Sequence, residues 1–176
     1  CTMLMELMFA CALGGVAESE APEPIVLEVG DVAPDFAVPG KTPAKLFDFR
    51  GKEAVLLAFF PRTFTSVCTT QLCGYRDHRA ELAKNELRVI AISTDPQEDS
   101  DRFKSEYELP FLVVGDPENT IVNAYGVTLI KTEKYGTIAQ RTVVLVDKAG
   151  VIRHIDLDYD INKDAPALNA AIVALD

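Results

Sequence analysis

Three features of the chain predict a three-layer α/β domain built on a mixed sheet. Continuous apolar runs of strand length alternate with helix-patterned segments, and two late strand-like runs are joined by a tight turn. Strand–helix–strand units pair in parallel through a crossover, whereas turn-linked strands pair antiparallel, so one sheet holds both kinds of neighbour.

Residues 54–60 (AVLLAFF) and 87–93 (LRVIAIS) lack the alternation of a half-exposed strand and read as strands buried on both faces. Between them, residues 69–84 carry Leu72, Tyr75, Arg79 and Leu82 at helical spacing, and residues 80–83 are good helix formers. A second helix over 99–107 follows the Asp95-Pro96 turn, and residues 111–114 form a short third strand closed by Gly115-Asp116-Pro117. Residues 142–146 and 151–157 flank Asp147-Lys148-Ala149-Gly150, which reads as a hairpin turn. Residues 165–175 close the chain as an amphipathic helix.

Composition narrows the function. At 176 residues, 48% hydrophobic and 25% charged, the chain is one globular domain with a short extension. A net charge of −10 argues against nucleic acid and anionic membrane surfaces as partners, because both need clustered Lys and Arg. The most apolar stretch, residues 3–17, is shorter than the roughly 20 residues of a membrane span and is interrupted by Glu6. Residues 1–17 resemble the hydrophobic part of a secretory signal, with Gly15 and Ala17 suited to cleavage. They lack a basic leader, so an export or anchoring signal and a truncated start both stand. Localisation follows the choice: exported or envelope-associated with a signal, cytoplasmic without. Residues 18–24 (ESEAPEP) are an acidic linker by composition, which divides the chain into an extension over 1–25 and a domain over 26–176.

Four cysteines, Cys1, Cys11, Cys68 and Cys73, are too few and too unevenly placed for a disulfide scaffold. Cys1 and Cys11 have no assigned role. Cys68 lies where a buried strand ends at Pro61 and a helix begins within a few residues. The free N–H groups of a first helical turn favour an anion, a recognised way to activate a thiol. Thr65 can present a hydroxyl to the same space, and the bland alternative is a structural cysteine behind a Thr65 cap. Cys73 follows five residues later, about 140° around an intact helix and with Cα near 8.6 Å from that of Cys68. A disulfide needs less than about 7 Å. The pair is thus neither a static staple nor a CxxC motif, and a single C-x4-C lacks the further ligands of a zinc site. It fits a dithiol that closes when the first turn unwinds.

The segment FFPRTFTSVCTTQLCGYRD resembles the peroxiredoxins, thioredoxin-fold thiol peroxidases, and within them the bacterioferritin-comigratory or Q-type branch. The family signature P-x-x-x-T-x-x-C stands as Pro61, Thr65 and Cys68, and the branch's resolving cysteine is matched by Cys73. The resemblance opens at residues 29–36 (VGDVAPDF) and runs through Arg76-Asp77, residues 92–95 (ISTD) and 124–127 (AYGV) to Arg141. It implies a thioredoxin-like fold and a cofactor-free, thiol-dependent peroxidase for hydrogen peroxide and organic hydroperoxides. Cys68 matches the peroxidatic cysteine, which becomes a sulfenic acid. Thr65 matches the hydroxyl that orients sulfur and peroxide, and Pro61 the residue shielding the pocket from water. Arg141 matches the arginine that stabilises negative charge on sulfur and oxygen. Gln71 stands where the family has Glu or Gln in support of that arginine. Cys73 would condense with the sulfenic acid, leaving a disulfide for a thioredoxin-like or glutaredoxin-like reductant. The implied assembly is a monomer or weak homodimer.

Two alternatives stay open on the sequence: a one-cysteine peroxidase resolved by an external thiol, and a peroxide sensor that passes its disulfide to a client. Ser66-Val67 replaces the Pro-Gly that many Q-type members carry before the cysteine. His78 and His154 are read as surface residues.

Overall fold

A computed structural model describes residues 25–38 and 44–175. The signal-like segment, the acidic linker, Cys1 and Cys11 lie outside the described residues. The elements are β1 (Ala37–Val38), β2 (Ala44–Lys45), a 3-10 turn (Leu46–Phe49), β3 (Ala54–Phe59), α1 (Ser66–Asp77), α2 (Arg79–Lys84) and β4 (Leu87–Ser93). They continue with α3 (Gln97–Glu106), β5 (Leu112–Gly115), α4 (Thr120–Ala124), β6 (Leu129–Thr132), β7 (Gly136–Ala139), β8 (Thr142–Val146), β9 (Ile152–Asp156) and α5 (Ala165–Val173).

The central sheet has the order β5-β4-β3-β8-β9, parallel from β5 to β3 and antiparallel from β3 to β9. The mixed sheet of the predicted class is present. Strand β3 is buried at all six positions, and its side chains alternate between two cores. Val55, Leu57 and Phe59 join Ile90, Ile92, Val144 and Tyr125 on one face, covered by α4, the 3-10 turn and the small hairpins. Ala54 and Leu56 join Val89, Val143, Leu145, Phe103, Leu168 and Ile172 on the other, under α1, α3 and α5. This two-sided burial is why the strands read as unbroken apolar runs.

Several boundaries depart from the sequence reading. The helix expected over 69–84 begins earlier, at Ser66, and is two helices meeting at His78, whose N–H donates to Gly74 O at 3.0 Å while its backbone turns out of helical geometry (φ −93°, ψ 12°). The strand expected over 111–114 runs through Gly115, because the chain there presses onto the Asp95 loop. A Cβ at Gly115 would stand 2.5 Å from the Asp95 carbonyl oxygen, so the supposed breaker is a packing glycine. Helix α4 and the β6–β7 hairpin were not anticipated. Buried Asp116 organises α4 by accepting the N–H groups of Thr120, Ile121 and Val122 at 2.8–2.9 Å. The 147–150 turn forms as read: Asp147 Oδ1 accepts from Ala149 and Val151 N–H, and Gly150 takes φ +84°. Among the described residues, no helix is long and apolar enough to cross a membrane.

Candidate active site

The register of the sheet assembles the site. Because β3 and β8 are antiparallel with Phe59 opposite Thr142, the residue before β8, Arg141, arrives beside the end of β3, next to Pro61. Because β3 and β4 are parallel, the end of β4 and Asp95 reach the same edge. Residues 61–65 cross this edge before α1 starts, so Cys68 drops into the first turn of α1 directly above it.

Cys68 is 1% exposed, packed against Phe60 and Leu72, and is a free thiol. Arg141 Nη2 donates to its sulfur at 3.3 Å, and Nη1 of the same guanidinium donates to Gln71 Oε1. Gln71, one turn along from Cys68 and also buried, donates from Nε2 to the Tyr75 hydroxyl at 3.2 Å. Thr65 occupies the N-cap position of α1, yet its side chain does not cap: the hydroxyl donates to Arg62 O at 3.2 Å. Among the described residues the first-turn N–H groups therefore have no side-chain acceptor, which leaves their partial positive charge for an incoming anion. Pro61 and Arg141 line an open cleft of about 520 Å³ together with Val67, Tyr159 and Asp158. All six expected site residues fall within or beside α1. Cys73, the exception to close contact, is half-buried on another side of that helix and is likewise a free thiol.

Three further residues shape the site. Asp95 is buried at 2% exposure; its Oδ2 accepts from Thr63 N–H at 2.7 Å and from the Ser93 hydroxyl at 3.1 Å, and its Oδ1 lies 3.4 Å from Arg62 Nη1. One carboxylate thus fastens the 61–65 loop, including the strained Phe64 at φ +58°, to the end of β4. Tyr159 donates its backbone N–H to Arg141 O at 2.9 Å, holding the strand end that carries the guanidinium. Burial, with the neighbouring Tyr159 phenol, pushes the Tyr75 hydroxyl well above its ordinary range, and burial likewise raises Tyr159. The sequence displayed Asp95 only within a motif and Tyr75 only as a helix-face residue, and nothing local marked Tyr159. Of the histidines, His78 is exposed beside Glu81. His154 departs from the expectation: it is half-buried, and its Nε2 is enclosed without a hydrogen-bond partner among the described residues.

Residues 29–155 match the AhpC/TSA family. Peroxiredoxin Bcp of Escherichia coli is 36% identical over 138 residues, covering 76% of this chain and 87% of that protein. Peroxiredoxin Bcp of Bacillus subtilis is 35% identical over 131 residues, covering 72% and 82%. The fold is shared with peroxidoxin BcpB from Mycobacterium tuberculosis at a TM-score of 0.76, with 23% identity over 86% of this chain and 99% of that one. It is also shared with the bacterioferritin comigratory protein of Xanthomonas campestris, at a TM-score of 0.73, 19% identity and coverage of 85% and 96%. Family match, relatives and thioredoxin-like fold agree with the cysteine site, and the chain belongs to the AhpC/TSA family as a thiol peroxidase of the bacterioferritin-comigratory, Q-type peroxiredoxin branch.

Proposed function

We propose that Cys68 is the peroxidatic residue and Cys73 its resolving partner in a cycle that reduces hydrogen peroxide and organic hydroperoxides and draws electrons from a thioredoxin-like dithiol. The observation that carries this reading is the Arg141 guanidinium 3.3 Å from a buried sulfur in an uncapped helical turn. A permanent cation and the first-turn amides pair with negative charge on the sulfur before attack and on oxygen during it. In the first step the sulfur anion attacks the nearer peroxide oxygen, an S–O bond forms, the O–O bond breaks, and the leaving alkoxide or hydroxide takes a proton from solvent. Sulfur loses two electrons and the peroxide gains them. In the second step the Cys73 thiol attacks the Cys68 sulfenic acid, an S–S bond forms and water leaves. A dithiol of the thioredoxin type then returns two electrons and two protons. Pro61 borders the cleft through which the peroxide enters, Thr65 stands at the start of the helix that carries Cys68, and Gln71 supports Arg141.

The second step requires movement, since the two cysteines share the continuous helix α1. Steady-state peroxide consumption with thioredoxin and its reductase tests the cycle. Loss of turnover in Cys68→Ser and loss of thioredoxin-coupled turnover, with one stoichiometric oxidation retained, in Cys73→Ser are the expected results. Undiminished coupled turnover in Cys73→Ser would place the protein with the one-cysteine peroxidases. A single oxidation and no turnover in the wild type would make it a sensor.

A further inference from the structure

Cys68, Gln71 and Tyr75 stand at i, i+3 and i+7 along one side of α1, and the polar contacts along that side have a direction. Arg141 Nη1 donates to Gln71 Oε1, and Gln71 Nε2 donates to the Tyr75 hydroxyl at 3.2 Å. A carboxamide has an acceptor end and a donor end of nearly the same size, whereas a guanidinium carries donors alone. Buried Gln71 can therefore serve Arg141 in only one of its two orientations. Turned over, its NH2 would face Nη1, donor against donor, and leave the guanidinium pointing away from the sulfur with one N–H unpaired. The carboxamide itself has no preference; its partners choose the orientation. On the far side the only hydrogen bond of Nε2 among the described residues goes to the Tyr75 hydroxyl, which can donate or accept and so anchors the carboxamide in the orientation that the donor-only guanidinium selects. Tyr159 stands behind this phenol and is also tied by its backbone to Arg141 O, so both ends of the chain of contacts are anchored to the same strand end.

We propose that Tyr75 is a positioning residue for peroxide reduction: its hydroxyl anchors the far end of the Gln71 carboxamide, so that Oε1 stays against Arg141 and the guanidinium stays against the Cys68 sulfur. This rests on the assignment of Cys68 and Arg141 made above. Methionine at position 71, of similar length but without the amide, offers the hydroxyl no group to anchor. The dependence on Tyr75 is a property of glutamine at that position, which separates positioning from packing.

The experiment is a double-mutant cycle of Tyr75→Phe and Gln71→Met, a pair of changes that nearly preserve volume, read as kcat/KM for hydrogen peroxide with dithiothreitol as reductant. Tyr75→Phe lowers kcat/KM roughly three- to tenfold when glutamine is retained, the scale of one hydrogen bond. In the Gln71→Met background the same change costs less than about twofold. Equal losses in both backgrounds, or no loss when glutamine is retained, overturn the inference while leaving the functional assignment intact. If the wild type consumes no more peroxide than Cys68→Ser, the functional assignment itself fails. The orientation is then judged from NMR exchange of the Gln71 side-chain amide protons, which Tyr75→Phe accelerates; unchanged exchange overturns it.

Discussion

Cys68 and Cys73 lie five residues apart on α1, yet one is sealed at 1% exposure beneath Arg141 and Gln71 while the other is half-buried near Arg76, which ties its stretch of helix to Tyr107 O at 2.8 Å. A helix turns 100° per residue, so a five-residue offset sends the two side chains to different surroundings. The same regularity that gives each thiol its environment keeps them from meeting. In the proposed cycle, attack on peroxide uses the intact helix and disulfide formation its opening.

The strongest way to break this comparison is to take away what seals Cys68. Arg141→Ala lowers kcat/KM for peroxide by roughly 10²- to 10³-fold, the scale of one lost stabiliser of developing charge, while alkylation of Cys73 keeps its wild-type rate. Wild-type peroxide kinetics in this variant would remove Arg141 from the chemistry. Oxidation sharpens the comparison from the other side. Peroxide-treated protein contains a 68–73 disulfide by mass spectrometry, and amide exchange over residues 65–75 accelerates relative to the reduced form, because opening one helix end lies among the low-energy fluctuations of a fold. Sulfinic acid at Cys68 with unchanged exchange would count against the two-cysteine cycle. Asp95→Ala strips the acceptor from the buried Thr63 N–H and costs about 1–3 kcal/mol of stability in urea unfolding, with the loop before Cys68 loosening ahead of the sheet.

The smallest effect is alkaline. Tyr75, Tyr125 and Tyr159 are all raised above their ordinary value, chiefly by burial. The folded protein thus holds these phenolic protons more tightly than the unfolded chain, whose tyrosines titrate near about 10. Their contribution to stability is complete below that pH and declines as pH rises toward the folded values. Urea midpoints measured between pH 9 and 11, as an approximate working range, fall with pH, and tyrosinate absorbance lags that of the denatured protein. A flat midpoint across that range would contradict it.

Strands β4 and β8 coincide with their apolar runs because both faces of each are buried, so one-dimensional pattern and three-dimensional role agree. The break at His78 was hidden because Leu72, Tyr75, Arg79 and Leu82 keep a helical spacing straight across it. Helix α4 is five residues long, too short to display a period, and is held by Asp116 through tertiary folding. The exposed Lys131 and Glu133 near the β6–β7 turn carry no core signal. At the site, the helix-start cysteine was visible from local order. Arg141 entered only through family resemblance, since no local pattern distinguishes a strand-end arginine from a surface charge. The orientation of Gln71 depends on groups before and after it in the fold, one of them 70 residues away.

The antiparallel pairing of β3 with β8 also sets a timetable. The contact between Arg141 and Cys68 spans 73 residues, and it closes only when β8 docks beside β3. A contact of such separation carries the entropy cost of closing the loop between its partners. In a growing polypeptide the sulfur therefore precedes by 73 residues the guanidinium that stands against it, and the pocket around Cys68, to which Val143 and Leu145 of β8 also contribute, is complete only once that strand has docked.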